Sequence, residues 1–352
     1  MASGVYLVKA GDTLWDIAVR NNMTLAALLA ANPQIVDRSL IRVGSSVTIP
    51  PLSIDLGTLG GRSSNARDIN DRGQVVGESW TVSGEYHAFS WLDGAMVDLG
   101  NLGNTWSEAV AINSRGQVVG GSATPSGRLR AFLWQDGTMV DIGLPDDVDL
   151  YPSAVNSLSQ VVGGPQGGGG HAFLWRAGSV TELMTLGGAA SFAWDINDQG
   201  QVVGFSDLAS GDAHAFVWQD GTMADLGTLG GAESEARAIN DRGQVVGSSD
   251  TPSGISHAFL WQDGTMTDLG TLGGATSGAL DVNTCGQVVG WGDTASGRRH
   301  AFLWQDGVMT DLGTRSEGES RAAAINDRGE VVGTCPASSS RLHACLWQLG
   351  AE

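Results

Sequence analysis

The feature that most constrains this fold is a unit that recurs along most of the chain. One copy begins with AINDRGQVVG at 238–247 and continues with HAFLW at 257–261. The asparagine of this unit recurs at a spacing of 43 residues, shortened to 41 once. The equivalent positions are Asn70, Asn113, Asn156, Asn197, Asn240, Asn283 and Asn326. Repeats of this length predict that each copy is one supersecondary unit that packs on its neighbours.

Each copy has the pattern of four short β-strands. In the copy that starts at Ser234, strands are predicted over 234–239, 244–247, 257–261 and 266–270. The sequences Asn-Asp-Arg-Gly at 240–243 and Asp-Gly at 263–264 are typical of tight turns and hairpins. Four strands per repeat indicate a β-propeller blade, because a parallel β-helix has shorter coils and a helical solenoid has a 3.6-residue period.

The two ends of the repeat region complement each other. Third strands end at Trp91, Trp134, Trp175, Trp218, Trp261, Trp304 and Trp347. A fourth strand follows six of them, whereas the chain ends at Glu352, before a seventh could form. Residues 53–57 precede the first copy as an unpaired fourth strand. We therefore predict an all-β, seven-bladed propeller in which this N-terminal strand completes the last blade and closes the ring.

Large aromatic side chains are expected to fill the spaces between neighbouring sheets. These are the seven tryptophans and the phenylalanines two residues before them, with small alanines where the sheets converge on the axis. Cys345 replaces one phenylalanine, so we expect it to be a buried small hydrophobe. The three cysteines cannot form a complete disulfide framework, and none has the spacing of metal ligands.

Residues 1–50 have a different pattern. A strand is predicted over 5–8, then a helix with Leu14, Ile17 and Ala18 on one face. A second helix is predicted from Thr24 to the helix stop at 32–33, followed by a strand over 47–50. Pro50 and Pro51 predict a short, stiff linker, which divides the chain into a domain of residues 1–50 and a domain of residues 51–352.

This N-terminal pattern resembles the LysM (lysin motif) family. The resemblance is carried by YxVxxGDTLxxIA at 6–18, LxxxNP at 28–33, VG at 43–44 and VxIP at 47–50. It implies a βααβ domain that binds glycans containing N-acetylglucosamine, chiefly peptidoglycan or chitin. The implied groove lies between the loop after the first strand and the loop after the second helix.

The glycan-binding residues that this resemblance implies are Gly11, Asp12, Thr13, Leu14, Asn32, Pro33, Gln34 and Ile35. Backbone groups would bind the acetamido group, and apolar side chains would receive its methyl. An alternative is that residues 11–13 only cap a helix and residues 32–33 only end one, although both roles can hold together. A family fold does not guarantee the family ligand, and a LysM domain can also serve as a protein-docking adaptor.

The repeats resemble the HAF-repeat family, named for its His-Ala-Phe sequence. That sequence occurs at His87, His171, His214, His257 and His300, whereas copy two has Arg130 and copy seven reads His-Ala-Cys from His343. The resemblance implies an exported bacterial protein but no defined chemistry. We predict that each histidine forms one structural hydrogen bond with the acidic residue of the fourth strand. Histidines in separate blades could converge on one metal ion only if they faced the axis of the ring.

No catalytic motif is visible, and the Asp-Gly turns lack the further carboxylates of a calcium loop. The sequence thus predicts no catalytic residue, no metal site and no cofactor. The third copy departs most from the others, with LPDDVDLY at 144–151 and four glycines at 167–170. This segment is either a partner site or simple drift in one blade.

Charge excludes two classes of partner. The formal net charge is −19, and residues 1–50 contribute only four basic and three acidic side chains to it. A surface this negative repels nucleic acids and anionic membranes. No membrane-length apolar run and no signal peptide is visible. We expect the cell envelope or the extracellular space, while a cytoplasmic location stays open.

The leading hypothesis is a non-enzymatic, carbohydrate-binding protein. Its LysM module would bind a cell-wall glycan, and its propeller would be a lectin-like or protein-binding scaffold. The alternative is a structural adaptor subunit of a phage-tail-like or other large assembly, with the LysM module docking to its neighbours. An enzyme is the third class, disfavoured because catalytic sites on propellers come from blade-specific residues and these blades are nearly uniform.

Overall fold

The computed structural model describes residues 4–20, 25–32, 34–35, 41–49, 53–145, 150–166, 169–314, 318–338 and 341–348. Within these ranges the chain forms a small α+β module and, from residue 53, a ring of β-sheets. No helix in the described ranges has the length and apolar character needed to cross a lipid bilayer. The predicted linker at Pro50 and Pro51 lies outside them.

The N-terminal module has the predicted order of elements. Its elements are β1 (Gly4–Leu7), α1 (Leu14–Arg20), α2 (Leu25–Ala30) and β2 (Ser46–Ile49). The two strands pair antiparallel, from Gly4 opposite Ile49 to Leu7 opposite Ser46. The predicted apolar face of α1 is buried, and it packs with Leu28, Val47 and Ile49 into one core. Thr24, the predicted start of the second helix, lies outside the described residues.

The other described strands form seven four-stranded antiparallel sheets, one per repeat. Blades 1 to 4 contain β4 (Gly60–Ile69), β5 (Val75–Thr81), β6 (Tyr86–Leu92), β7 (Ala95–Gly100), β8 (Ser107–Ile112), β9 (Val118–Ala123), β10 (Leu129–Gln135), β11 (Thr138–Asp141), β12 (Leu150–Val155), β13 (Val161–Pro165), β14 (Phe173–Arg176), β15 (Ser179–Glu182), β16 (Gly187–Ile196), β17 (Val202–Leu208), β18 (Ala213–Gln219) and β19 (Thr222–Asp225). Blades 5 to 7 contain β20 (Ser234–Ile239), β21 (Val245–Asp250), β22 (Ser256–Gln262), β23 (Thr265–Asp268), β24 (Gly273–Val282), β25 (Val288–Thr294), β26 (Arg299–Gln305), β27 (Val308–Asp311), β28 (Arg321–Ile325), β29 (Glu330–Ser338), β30 (Arg341–Gln348) and β3 (Ser53–Gly57). The predicted seven-bladed propeller is thereby confirmed.

Ring closure by the N-terminal strand is also confirmed. Strand β3 pairs antiparallel with β30, with Ser53 opposite Trp347 and Ile54 opposite Leu346. Leu56 is buried in a cluster contributed by the last and the first blade. The first strand of the propeller in sequence is therefore the outermost strand of its last blade, which leaves that blade without an incomplete edge.

The repeated asparagine holds neighbouring blades together. In each copy its Nδ2 donates a hydrogen bond to the main-chain carbonyl of the same asparagine in the next blade, at 2.8–3.2 Å. The last of these bonds runs from Asn326 to Asn70, so the series is cyclic. The Oδ1 accepts main-chain N–H groups of its own turn, as Asn240 does from Arg242 and Gln244. One side chain thus fixes both a turn and a blade–blade contact.

The histidine column has the predicted structural role. Each histidine places Nδ1 at 2.8–3.3 Å from the acidic residue of the outer strand. In the last blade this partner is Asp55, which lies in β3. Arg130 takes the equivalent place in blade 2, with Nε 3.6 Å from Asp141. The His–Asp pair therefore also ties the two ends of the chain together.

Two predictions about the core need correction. The phenylalanines and the axial alanines are fully buried, but most of the tryptophans are only half-buried; Trp347 is the fully buried exception. Each tryptophan lies two residues nearer than its phenylalanine to the turn that ends the strand, and therefore nearer to solvent. Cys345 is buried as expected, but it forms a disulfide with Cys335, and the two Cα atoms are 6.1 Å apart. Cys285 is free and exposed.

Candidate functional site

The innermost strand of every blade contains a β-bulge. At the bulge, one residue of the first strand has no partner on the second strand. A bulge re-aims a side chain, and here every bulged residue lines one axial funnel. The bulged residues are Arg67, Val110, Ser153, Trp194, Arg237, Leu280 and Ala323. The repeats therefore differ in a column of residues that projects into the central cavity.

A repeated glycine makes this bulge possible. In each blade a glycine of the second strand packs against the main chain just before the bulge. A Cβ atom on Gly247 would lie 1.9 Å from the carbonyl oxygen of Glu235, and the equivalent distance in the other blades is 1.9–2.1 Å. Only a residue without a side chain tolerates that approach. The glycine of the repeated Val-Val-Gly sequence is therefore needed for the funnel to form.

The funnel is wide and has a volume of about 1060 Å³. Nearly half of its described lining residues are charged or aromatic. Among the described residues its lining contains Arg67, Arg237, Arg299, Arg321, Arg341, Glu78, Glu108, Glu319, Trp80, Tyr86, Tyr151 and Trp194. Arginine thus outnumbers glutamate in the described lining, although the chain as a whole carries a net charge of −19.

Arginine side chains stack on aromatic rings at the wall. The guanidinium of Arg237 lies 4.1 Å from the ring centre of Trp194, and that of Arg299 lies 3.7 Å from the ring centre of Trp291. The indole Nε1 of Trp194 donates to Glu235 at 2.6 Å. These contacts fix the guanidinium planes, because a cation is attracted to the ring face.

A second network surrounds Arg67. Its Nε donates to Glu78 at 3.0 Å, and its Nη2 lies 4.0 Å from Glu108. Tyr151 donates its hydroxyl proton to Glu108. Burial raises the pKa of Glu108. The pKa of Tyr151 is also raised, mainly by burial and to a lesser extent by the negative charge of Glu108. The network therefore holds these polar groups in fixed positions.

The opposite end of the axis is narrower and has a cavity of about 240 Å³ lined by the asparagine ring. Near it, Asp68, Asp195 and Asp281 each accept a main-chain N–H from their own strand and one from the next blade. Burial raises the pKa of Asp68 to about 7 and that of Asp195 to about 6. Their oxygens are occupied by the backbone, and the described residues contain no metal-binding group of three or more His, Cys, Asp or Glu side chains. These carboxylates therefore join blades.

The predicted groove of the N-terminal module begins at a capped helix. Gly11 has a φ of +86°, which favours glycine. Thr13 accepts the N–H of Asp16 at 3.0 Å and donates to its carboxylate at 2.7 Å, which caps α1. Asp12 accepts from Lys9 N–H and from Tyr6, and these bonds lower its pKa. The cap that the sequence predicted is therefore present, and Gly11 and Thr13 are exposed.

The other side of the groove has a buried centre. Asn32 is fully buried, and its Nδ2 donates at 2.7 Å to the carbonyls of Leu28 and Thr48. Leu14 is also buried, Ile35 packs on the same core, and Gln34 is exposed. Pro33 lies outside the described residues. The side chains of Leu14 and Asn32 therefore shape the loops from inside, and glycan contact by all the predicted residues, through backbone groups or side chains, stays a prediction.

Comparison with known proteins agrees with this geometry. Residues 6–50 match the LysM domain family. Residues 6–50 form a LysM domain. A stretch of 44 residues is 48% identical to an endolysin of Bacillus phage PZA, which covers 12% of this chain and only 17% of the endolysin.

The ring of sheets resembles solved β-propeller structures. A puromycin-hydrolysing peptidase of Mycobacterium tuberculosis matches with a TM-score of 0.57 and 11% identity, over 82% of this chain and 51% of the peptidase. TolB of Acinetobacter baumannii matches with a TM-score of 0.50 and 13% identity, over 76% of this chain and 67% of TolB. At this identity the likeness shows the fold alone.

Sequence reasoning missed two features of these sites. Trp15 directly follows the predicted groove residues of the LysM domain and is 62% exposed, which is unusual for an indole. The funnel column was also missed, although the repeats carry different residues there, and such a difference is the signal that could have revealed it. Of the irregular third copy, Tyr151 lies in the funnel, whereas residues 146–149 and 167–168 lie outside the described part of the chain.

Proposed function

We propose that this is a non-enzymatic protein that binds cell-wall glycan through its LysM domain. The observation that carries the proposal is the match of residues 6–50 to the LysM family, together with the exposed loop at Gly11 and Thr13. LysM domains are typical of cell-wall-associated or extracellular proteins, so the proposed location is the cell envelope or its surroundings. The proposed ligand is an N-acetylglucosamine-containing polysaccharide, peptidoglycan or chitin.

The propeller adds a second, rigid binding surface in this proposal. Its blades present the funnel at one end of a closed ring, and a rigid scaffold lowers the entropy lost on binding. Two sites on one chain can engage one polymer together, so weak contacts at each site can add to useful avidity. The funnel is proposed as a binding site, and a broad hydrolase screen that gives robust turnover would replace this proposal with an enzymatic one.

Sedimentation with insoluble polysaccharide tests the proposal. The full chain and a chain that lacks residues 1–50 are mixed with purified peptidoglycan or with chitin, and the bound fraction is measured. We expect the full chain to sediment with one of them and the truncated chain to sediment much less. If the full chain stays in the supernatant with both polymers, the proposal is wrong.

A point variant refines this experiment. Trp15→Ala removes the exposed indole beside the predicted groove, and Val43→Ala removes an equally exposed side chain elsewhere on the domain. If the groove binds the sugar as predicted, Trp15→Ala weakens sedimentation more than Val43→Ala does. Equal effects of the two variants would place the glycan contact elsewhere on the domain.

Protein docking is the second candidate function, favoured by one observation. Val5 and Leu7 are 66% and 59% exposed and point to the same side of β1, because alternate residues of a strand share a face. An exposed aliphatic face is typical of a protein contact. The native size separates the candidates, since an adaptor subunit co-purifies in a large particle and the glycan-binding protein is small.

A further inference from the structure

Two arginines of the funnel lining, Arg321 and Arg341, have no side-chain partner among the described residues. Arg321 lies at the start of β28 and lines the funnel wall. Within the described residues, its guanidinium contacts no carboxylate and no hydrogen-bond acceptor. By contrast, Arg67, Arg237 and Arg299 each lie within 4 Å of a carboxylate oxygen. Arg321 therefore has five N–H donors to offer to a bound molecule.

The surroundings of Arg321 favour an anion. Partial desolvation at the funnel wall lowers the pKa of its guanidinium, and the positive charges of Arg237, Arg67 and Arg299 lower it further. A cation that is kept among other cations is unfavourable, and a bound negative charge would relieve that repulsion. The positive charge of these arginines is thus not balanced in the ligand-free site, and a bound carboxylate would balance it.

The funnel lining differs in charge from the rest of the chain. The net charge of −19 repels anions from most of the surface. The described lining of the funnel contains more arginine than glutamate, so the funnel is a local region of opposite character. The arginines therefore make the funnel wall a local environment that suits an acidic group better than the acidic surface of the rest of the chain does.

Flat aromatic faces beside the arginines indicate what carries the charge. Trp80 and Tyr86 lie edge to face with ring centres 5.4 Å apart, and Arg62 stacks on Trp80 at 4.4 Å. Both rings are half-exposed in the funnel wall. The C–H face of a pyranose ring packs on such a surface, because an aromatic ring is apolar on its face and large in area. A guanidinium binds a carboxylate through two parallel N–H bonds.

We propose that the funnel binds a saccharide that bears a carboxylate, with Arg321 pairing the carboxylate and the aromatic wall receiving the sugar ring. Glu108 lines the same wall, is partly exposed and offers an acceptor for a sugar hydroxyl. The proposal rests on the propeller's role as the second binding surface, and it names the ligand class for that surface. It does not require the LysM domain to bind the same polymer.

Calorimetric titration of the full chain tests this assignment. The probes are N-acetylmuramic acid and its neutral counterpart N-acetylglucosamine, which differ in the lactyl carboxylate. D-Glucuronic acid, with a carboxylate on the ring itself, is a third probe. We expect Arg321→Gln to weaken N-acetylmuramic acid or glucuronic acid binding about tenfold or more and to leave N-acetylglucosamine unaffected. If the binding of both acids depends on Arg321, the funnel accepts a carboxylate at either position. If the binding of only one acid depends on it, that acid shows where on the sugar the carboxylate must be.

Two further variants complete the design. Arg242→Gln changes an exposed arginine in the turns at the asparagine end, so it alters net charge equally without touching the funnel. Arg321→Lys keeps the charge but loses the forked geometry, and we expect it to bind with intermediate affinity. Arg321 forms no ion pair and no side-chain hydrogen bond among the described residues, and unchanged circular dichroism of each variant checks that the fold is retained.

The outcomes separate this proposal from the LysM function. If Arg321→Gln binds both acids as tightly as Arg242→Gln does, the assignment of Arg321 is overturned. If inorganic phosphate binds in an Arg321-dependent way and neither acid does, the funnel is an anion site but not a saccharide site, and the proposal is also wrong. Sedimentation with polysaccharide depends on residues 1–50, so its failure leaves a positive titration standing.

Discussion

Asn32 shows how one buried amide stabilises the LysM domain. Its Nδ2 donates to Leu28 and Thr48 carbonyls, and its Oδ1 accepts the N–H of Thr48 at 2.8 Å. These bonds join the end of α2 to β2. Because the amide is fully buried, its loss would leave main-chain groups unpaired in the core.

We therefore expect Asn32→Ala to lower the free energy of unfolding of the LysM domain by about 2–4 kcal/mol. Hydrogen exchange of the LysM amides in the full chain measures this directly. The control is Gln34→Ala, which removes an exposed side chain whose one hydrogen bond among the described residues is to Asn32, at 3.1 Å. If the amides of both variants exchange at the same rate, the buried hydrogen bonds of Asn32 do not stabilise the domain.

The buried carboxylates Asp68, Asp195 and Asp281 predict an unusual pH dependence. Their folded-state pKa values are raised, to about 7 for Asp68 and about 6 for Asp195. The unfolded chain releases these protons near pH 4. Between pH 4 and 7 the folded state thus holds more protons than the unfolded state, so these groups make stability fall as the pH rises.

The repeats themselves supply the matching variant, because four blades have alanine at this position, as at Ala111 and Ala238. We expect Asp68→Ala to flatten the dependence of unfolding free energy on pH between 4.5 and 7, by on the order of 1–3 kcal/mol. Denaturant titrations at several pH values measure the slope. Identical slopes for the two proteins would show that Asp68 is ionised normally in the folded state.

At the scale of the strand, the β-bulge directs one side chain of each repeat into the funnel. The first strand must carry one extra residue, and the second strand must approach it without a side chain. Gly247 makes this approach to Glu235. Any Cβ at that position has to push the bulged strand outwards, which disturbs the orientation of Arg237.

We expect Gly247→Ala to destabilise the propeller by about 1–3 kcal/mol, since overpacking in a close contact costs that much. Ser248→Ala in the same strand changes a half-buried side chain and should alter stability by about 0.5 kcal/mol or less. Chemical denaturation followed by tryptophan fluorescence compares the two. A Gly247→Ala protein as stable as Ser248→Ala would mean that the bulge tolerates a side chain.

Strand positions were predictable from sequence, but the bulge was not. Turn residues and alternating apolar residues placed 234–239 in the first strand, as observed. The same two-residue period cannot reveal an inserted residue, because Arg237 looks like another outward-facing polar side chain. For the same reason the pairing of Trp194 with Arg237 across two blades was invisible. Contacts between blades depend on the twist of the ring, which no single repeat specifies.

The sequence also misjudged where aromatic bulk lies. Phe259 and Trp261 occupy one face of one strand, and both were expected in the core. Only the phenylalanine is fully buried, since Trp261 is at the end of the strand, opposite Met266 near the turn. The LysM motif also did not reveal that the Asn32 side chain is buried, and its place in the glycan groove stays a prediction.

At the scale of the whole molecule, counting strands was sufficient to predict the closure. Six fourth strands and one unpaired strand at residues 53–57 require the two ends to meet, and three contacts show that they do. These are the β3–β30 pairing, the bond between His343 and Asp55, and the contact from Asn326 to Asn70. A closed ring is what allows seven variable side chains to face one cavity.

A comparison of Leu56→Ala with Ile54→Ala tests this closure most directly. Both residues lie in β3; Leu56 is 6% exposed between the last and first blades, and Ile54 is 40% exposed. The unfolding free energy of the propeller is measured for each variant by denaturant titration. The closed ring predicts a loss of about 2–4 kcal/mol for Leu56→Ala and less than about 1 kcal/mol for Ile54→Ala. Equal, small losses for both variants would contradict it, because an undocked strand would expose both side chains to solvent.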